Sequence, residues 1–267
     1  MQLKPYVGIT GFTENIEVET IAQIYNRLGF TRIDSNHKPM FGFLVSYKTL
    51  NEEKVTNKRY PKINLLNSLM KSVPENSMNT IHYNSRYNSL DEQIDKLFDA
   101  TGIYSEKLCN SLQLNIAWPD IKEVKKIKNM YHDLSIILQL SSKSMEGLDL
   151  TTITERTSHY IENISYVLID PSMGRGIEGN LDFSIELYNE LNKKIPDLGV
   201  VFAGGFNGNN INSKLEYIRS KIETINFSID AEGGLRDKLS KEYGDDLFNI
   251  QKGESYLINS SIGFKLD

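Results

Sequence analysis

Three segments in the last third of the chain carry the residue types of a binding site. They are Tyr166-Val167-Leu168-Ile169-Asp170 with the glycine-rich run Gly174-Arg175-Gly176-Ile177-Glu178-Gly179, then Gly199-Val200-Val201-Phe202-Ala203-Gly204-Gly205, then Phe227-Ser228-Ile229-Asp230-Ala231-Glu232-Gly233-Gly234. Each is a short apolar run that stops in glycine or acid. Glycine lets a backbone come close to a ligand, so Gly204, Gly205, Gly233 and Gly234 would offer N–H groups to an anion such as phosphate. The plainer reading is a tight strand-to-helix turn with no ligand; its recurrence after two successive runs favours phosphate. The 174–179 run reads as a lid over substrate or as an ordinary loop, with Arg175 in reach of an anionic group. His82, Gln113 and Asn115 sit late in apolar runs of their own. Each would face a ligand or satisfy buried backbone, and an interior hydrogen-bonded histidine is the commoner fate of a residue like His82.

Such loops need rigid elements beneath them. Apolar runs of strand length alternate with helical periodicity along the whole chain. Strands are expected near 6–10, 41–46, 79–84, 112–116, 135–140, 166–169, 200–203 and 226–229. A helical pattern follows each, for example Ile185, Tyr188, Leu191 and Ile195 after the sixth. Ser89 or Asn88 is placed to cap the helix after the third strand, and Pro119 with Asp120 opens the helix after the fourth. The tail beyond Leu235 should hold the closing helix. Eight strand–helix units in series predict a single-domain α/β (β/α)8 barrel over 1–267, with a doubly wound open sheet as the competitor. The connections 46–58 and 141–150 are longer than usual and belong to the functional face.

Totals narrow the function class. The 267 residues suit one barrel, and a formal net charge of −5 argues against general nucleic-acid or anionic-membrane binding. A single cysteine, Cys109, excludes an internal disulfide and a cysteine-rich metal site and fits a reducing, cytoplasmic setting. Its place before the fourth strand makes it a packing residue. The amino-terminal residues do not read as a signal peptide, and no run of about 18 apolar residues exists. No His/Asp/Glu spacing implies a metal, and no cofactor is expected. His37, His132 and His159 read as surface residues. Trp118 would stack on a ligand ring or pack a helix. A phosphorylated small molecule is the expected partner, with the chain a monomer or a homodimer.

Taken together the motifs resemble those of the phosphoribosylanthranilate isomerase family. The resemblance spans nearly the whole chain: Val7-Gly8-Ile9-Thr10 in place of a Cys-Gly-Ile-Thr opening, Lys58-Arg59-Tyr60, Gln113-Leu114-Asn115, the strand ending in Asp170, Leu181-Asp182-Phe183, Gly204-Gly205-Phe206-Asn207, and Asp230-Ala231-Glu232-Gly233-Gly234. It implies a (β/α)8 barrel that isomerises an aldose to a ketose by proton transfer, with Asp170 as the general acid, Arg59 meeting a substrate carboxylate, and the late glycines holding phosphate. Two positions depart from the family. Val7 stands where the family has its general-base cysteine, and valine takes no proton, so His82 first and Asp230 second become candidates for the base. Glu232 stands where small hydroxyl residues are expected and would repel phosphate unless it points away. These departures keep two other readings open: a non-catalytic binder of phosphorylated ligands, and a sugar-phosphate lyase or epimerase.

Overall fold

A computed structural model describes residues 3–85, 87–172, 180–222 and 224–265. The chain runs β1 (Tyr6–Thr10), α1 (Asn15–Arg27), β2 (Lys38–Ser46), α2 (Tyr47–Leu50), α3 (Leu66–Lys71), β3 (Met78–Asn84), α4 (Leu90–Thr101), β4 (Ser111–Leu114), α5 (Ile121–Met130) and β5 (Ser135–Ser141). It continues with α6 (Ser142–Met145), α7 (Leu150–Ser158), β6 (Tyr166–Asp170), α8 (Leu181–Lys194), β7 (Gly199–Phe202), α9 (Ile211–Ile222), β8 (Ser228–Ala231), β9 (Arg236–Lys238), β10 (Asp246–Phe248) and α10 (Ile250–Phe264). Strands β1 to β8 pair in sequence order, all parallel, and β8 pairs back to β1 to close a barrel. The eight-unit expectation therefore holds, and the open sheet does not.

Both faces of the strands are buried, which is why they read as continuous apolar runs. Outward side chains such as Val7, Ile9, Phe41, Phe43, Ile81 and Val167 join the helices in one large core. Inward side chains at the amino-terminal end form a second, apolar cluster of Tyr6, Met40, Met78, Ile137, Tyr166, Leu168 and Val201. Short polar side chains then stop the chain from extending its strands. Ser46 and Ser141 each accept the N–H three residues on and open the one-turn helices α2 and α6. These two turns occupy the long connections expected on the functional face. Asp120 and Asp149 cap α5 and α7 in the same way, each at 2.7 Å.

Several expectations change. Strand β8 starts two residues later than expected, because the Asn226 amide turns back onto Thr224 Oγ1 (3.1 Å) and Ser228 begins the pairing with Val201. Ser89 does not cap α4 through its side chain; it adopts φ 63°, and its N–H donates to Glu123 Oε1 at 2.9 Å. An antiparallel hairpin, β9–β10, separates β8 from the closing helix α10. His37 is fully buried rather than on the surface: its Nε2–H donates to the Phe227 carbonyl (3.0 Å), its ring lies against Phe264, and burial pushes its pKa down to about 4. Cys109 is buried, with its thiol donating to the Ser111 carbonyl and pushed up to about 12 by burial. Trp118 packs, its Nε1–H donating to the Ser144 carbonyl at 2.7 Å. Among the described residues no helix is long and apolar enough to cross a membrane.

Candidate active site

The carboxyl ends of the strands open into a cavity of about 540 Å³. Side chains alternate across each strand, so the residue two beyond a floor residue also points inward. Above the floor the inward positions turn polar: Thr10 on β1, His82 on β3, Gln113 on β4, Gln139 on β5, Asp170 on β6 and Asp230 on β8. Two inward positions carry no side chain at all. A Cβ at Gly8 would sit 2.8 Å from Asp230 Oδ1, and one at Gly42 would sit 2.8 Å from His82 Nε2 and collide with Thr10 Oγ1. The missing side chains make the room in which these three polar groups meet.

Asp230 and Asp170 share the cavity but not an environment. The Thr10 hydroxyl lies 3.0 and 3.1 Å from the two oxygens of Asp230, and 3.3 Å from His82 Nε2. Burial, followed by the nearby charges of Glu232 and Asp170, raises the Asp230 pKa well above the carboxylate range, and the Thr10 bond only partly offsets this. Asp170 instead accepts, among the described residues, from Gln139 Nε2–H at 2.9 Å and from the N–H and hydroxyl of Ser172 at 3.0 and 2.8 Å. A carboxylate, which only accepts, fits that arrangement.

His82 reaches the cavity wall, but burial holds its pKa down to about 3. It is a neutral hydrogen-bond partner of Thr10 and too weak a base to be the first candidate. Val7 stands on the helix-facing side of β1, within the outer core. It never occupies the cavity wall, so its lack of a titratable group removes nothing from this site.

The loop after β7 turns at the cavity edge on two glycines. Gly204 and Gly205 take φ values of 115° and 70°, which glycine adopts without strain. Asn210 and Asn207 donate side-chain N–H groups to the Gly205 carbonyl, at 2.9 and 3.3 Å, and hold the turn. Among the described residues the amides of Gly204 and Gly205 have no acceptor. Both glycines line the cavity, as does Gly233. Gly234 does not: a Cβ there would run into the Phe206 carbonyl, so this glycine lets the β7 and β8 loops touch. Gln113 and Asn115 also line the cavity, with Gln113 Nε2–H donating to Asn115 Oδ1 at 2.9 Å. Arg175 lies outside the described residues.

Arg59 overturns its expected role. It does not line the cavity. It is 2% exposed, its Nε and Nη2 grip Asp246 at 2.9 and 2.6 Å, and its Nη1 binds Glu232 Oε1 at 2.6 Å. Its guanidinium also lies 4.6 Å from the Tyr243 ring centre. Arg236 donates from Nε to the same Asp246 at 2.7 Å and from Nη1 to the Gly11 carbonyl at 3.0 Å. Burial pushes Asp246 up, but the two arginines outweigh it and hold the carboxyl below its usual range. The guanidinium is therefore committed to bracing the β9–β10 hairpin against the β2 loop. Glu232 does line the cavity, yet its side chain leans toward Gly11 at the end of β1, on the far side of β8 from the glycine turn.

Thr10, Gln139, Ser172, Tyr60, Tyr243 and Lys143 also belong to this region and were not singled out from the sequence. Thr10 and Gln139 had a signal: a polar residue in phase with the inward face of an apolar strand. Tyr243 and Asp246, in a hairpin of unremarkable composition, had none.

No family model matches this chain, and no curated protein matches it. Solved structures match in shape. Phosphoribosyl anthranilate isomerase from Thermus thermophilus superposes with a TM-score of 0.60 at 13% identity, over 96% of this chain and 98% of that one. The enzyme of the same name from Thermotoga maritima gives 0.61 at 15% identity, over the same shares. A truncated 3-deoxy-D-arabino-heptulosonate 7-phosphate synthase from Thermotoga maritima gives 0.56 at 9%, over 97% and 87%. Differently named enzymes thus share this scaffold, and the likeness establishes the (β/α)8 barrel rather than a reaction.

Proposed function

We propose that this barrel is an acid/base enzyme that isomerises a phosphoribosyl compound or related sugar phosphate. The observation that carries the reading is the pair of carboxyls with opposite surroundings in one cavity. One carboxyl that burial keeps protonated and one supplied with hydrogen-bond donors are suited to different tasks. Asp170, ringed by donors, takes the proton from the carbon next to the substrate carbonyl or imine. Asp230, kept protonated by burial, delivers a proton to the carbonyl oxygen or imine nitrogen. Asp170 then returns its proton to the neighbouring carbon while Asp230 takes back a proton from the hydroxyl of the first carbon, which becomes the new carbonyl; the aldose–ketose exchange is complete and both groups recover their starting states. This reverses the assignment drawn from the resemblance, in which Asp170 donates. The amides of Gly204 and Gly205, with Gly233 beside them, hold the phosphate, and the neutral amide side chains of Gln113 and Asn115 meet hydroxyl groups.

The test is isotope exchange. The protein in D₂O is incubated with ribose 5-phosphate and with other aldose and ketose phosphates, and deuterium at the carbon beside the carbonyl is followed by NMR. Incorporation that Asp170→Asn abolishes supports the reading. Binding without exchange for every sugar phosphate points to a ligand-binding barrel without turnover, a reading that the withdrawal of Arg59 from the cavity favours. An epimerase or lyase shares the first proton abstraction and is separated by product analysis.

A further inference from the structure

The β1–β2 side of the cavity has a polarity opposite to the one its arginine predicts. Of the four charged groups in the Arg59–Glu232–Asp246–Arg236 cluster, only Glu232 lines the cavity. Its Oε1 is taken by Arg59, and its Oε2 has no partner among the described residues. Tyr60 and Tyr243 line the same side. A second, independent acceptor waits on the opposite wall. Gln113 is 2% exposed and lines the cavity, its Nε2 is spent on Asn115, and its Oε1 has no hydrogen-bond partner. Gln113 Oε1 is a buried acceptor left without a donor, which is costly, so a ligand that supplies donors is favoured over one that supplies further acceptors.

We infer that Glu232 determines specificity by taking an amino group at the non-phosphate end of the substrate, and that a carboxylate at that end is rejected. The ammonium or N–H group donates to Glu232 Oε2 and rests against Tyr60, whose ring favours a cation, while Tyr243 is stacked on Arg59. Arg59 cannot serve a substrate carboxylate from where it stands, because Asp246 and Glu232 hold its fork. Phosphate is kept apart from Glu232 by the lean of that side chain toward Gly11. The inference rests on the proposed phosphate-binding reading of the cavity.

Three probes with the same phosphate and different far ends separate the two: glucosamine 6-phosphate, glucose 6-phosphate and 6-phosphogluconate, with inorganic phosphate as reference, measured by calorimetry on the full chain. The expected order of affinity is amine, then hydroxyl, then carboxylate, with the amine ahead of the hydroxyl by on the order of tenfold. Because the whole chain is acidic, the wild-type order is compared with that of Glu232→Gln, which keeps an acceptor for Arg59. The variant should lose most of the amine preference and keep or raise its affinity for inorganic phosphate. Should it fail to fold, Glu232→Asp, which withdraws the carboxylate without removing its charge, is expected to lower the amine preference in the same way. A carboxylate-ended probe that binds as well as the amine, or an amine preference unmoved by the substitution, overturns the inference while leaving phosphate binding in place. Failure of inorganic phosphate and all three probes to bind overturns the phosphate reading; glucosamine against gluconate then repeats the comparison, and equal binding or silence from both overturns the role of Glu232 as well.

Discussion

The barrel interior has two ends made by the same eight strands, and they obey different rules. At the floor, Tyr6, Met40, Met78, Ile137, Tyr166, Leu168 and Val201 exclude water and make only packing contacts with one another. One or two pleats higher, Thr10, His82, Gln139, Asp170 and Asp230 are nearly as buried, yet each is tied to a neighbour by hydrogen bonds. Burial that stabilises the floor shifts the ionisation of the mouth. One or two structural periods thus separate the part that holds the fold from the polar mouth, and the second draws its properties from the dryness that the first creates.

That contrast can be broken at either end. The largest effect is expected at Asp170: its replacement by Asn keeps the size of the group and should cut proton exchange by ~10²–10⁴-fold, with the melting temperature little changed. At the floor the outcome inverts. Met40→Ala should cost about 2–5 kcal/mol in urea unfolding, because the closed barrel collapses poorly onto a void. Any remaining folded protein should retain phosphate binding.

Asp230 tests the borderline between the two ends. Its folded pKa lies above the unfolded value near 3.8, so the folded state holds the proton more tightly. Below the unfolded value both states are protonated and nothing is lost. As pH rises from there through the folded value, stability falls, at up to ~1.4 kcal/mol per pH unit. Asp230→Asn should flatten that slope in denaturation curves taken across pH. A slope unchanged by the substitution would mean that the dryness of the mouth does not reach this carboxyl. The smallest effect is expected at Gly205, whose φ of 70° disfavours other residues. Gly205→Ala should cost ~1–2 kcal/mol and weaken phosphate affinity, and equal phosphate affinity in the variant would remove the β7 turn from the site.

Much of this was legible in the chain and some of it could not be. The repeating strand-and-helix pattern is a local property, so eight units and a barrel follow from it. The acids and glycines of β6 to β8 follow too, because a polar residue at the end of an apolar run has few places to go but the mouth. Val7 shows where reading by motif fails. The letters Val-Gly-Ile-Thr match a familiar opening, but which of them face inward depends on strand phase, and one residue of register turns a side chain to the other face. Arg59 fails for another reason. Its partners Glu232 and Asp246 lie 173 and 187 positions away, and nothing near Lys58-Arg59-Tyr60 announces them. The hairpin that brings Asp246 to it precedes the expected closing helix and had no signal of its own.

Gly8 and Gly42 carry a lesson for how this barrel would be altered. The polar corner exists because two staves were left bare, so its capacity is set by atoms that are not there. A survey that ranks residues by the functional groups they bear would pass over both positions. Adding one methyl at position 42 would displace a histidine and a hydroxyl together, and by that route a chemically silent substitution would retune an acid six strands away in the sequence and only a side chain away in space.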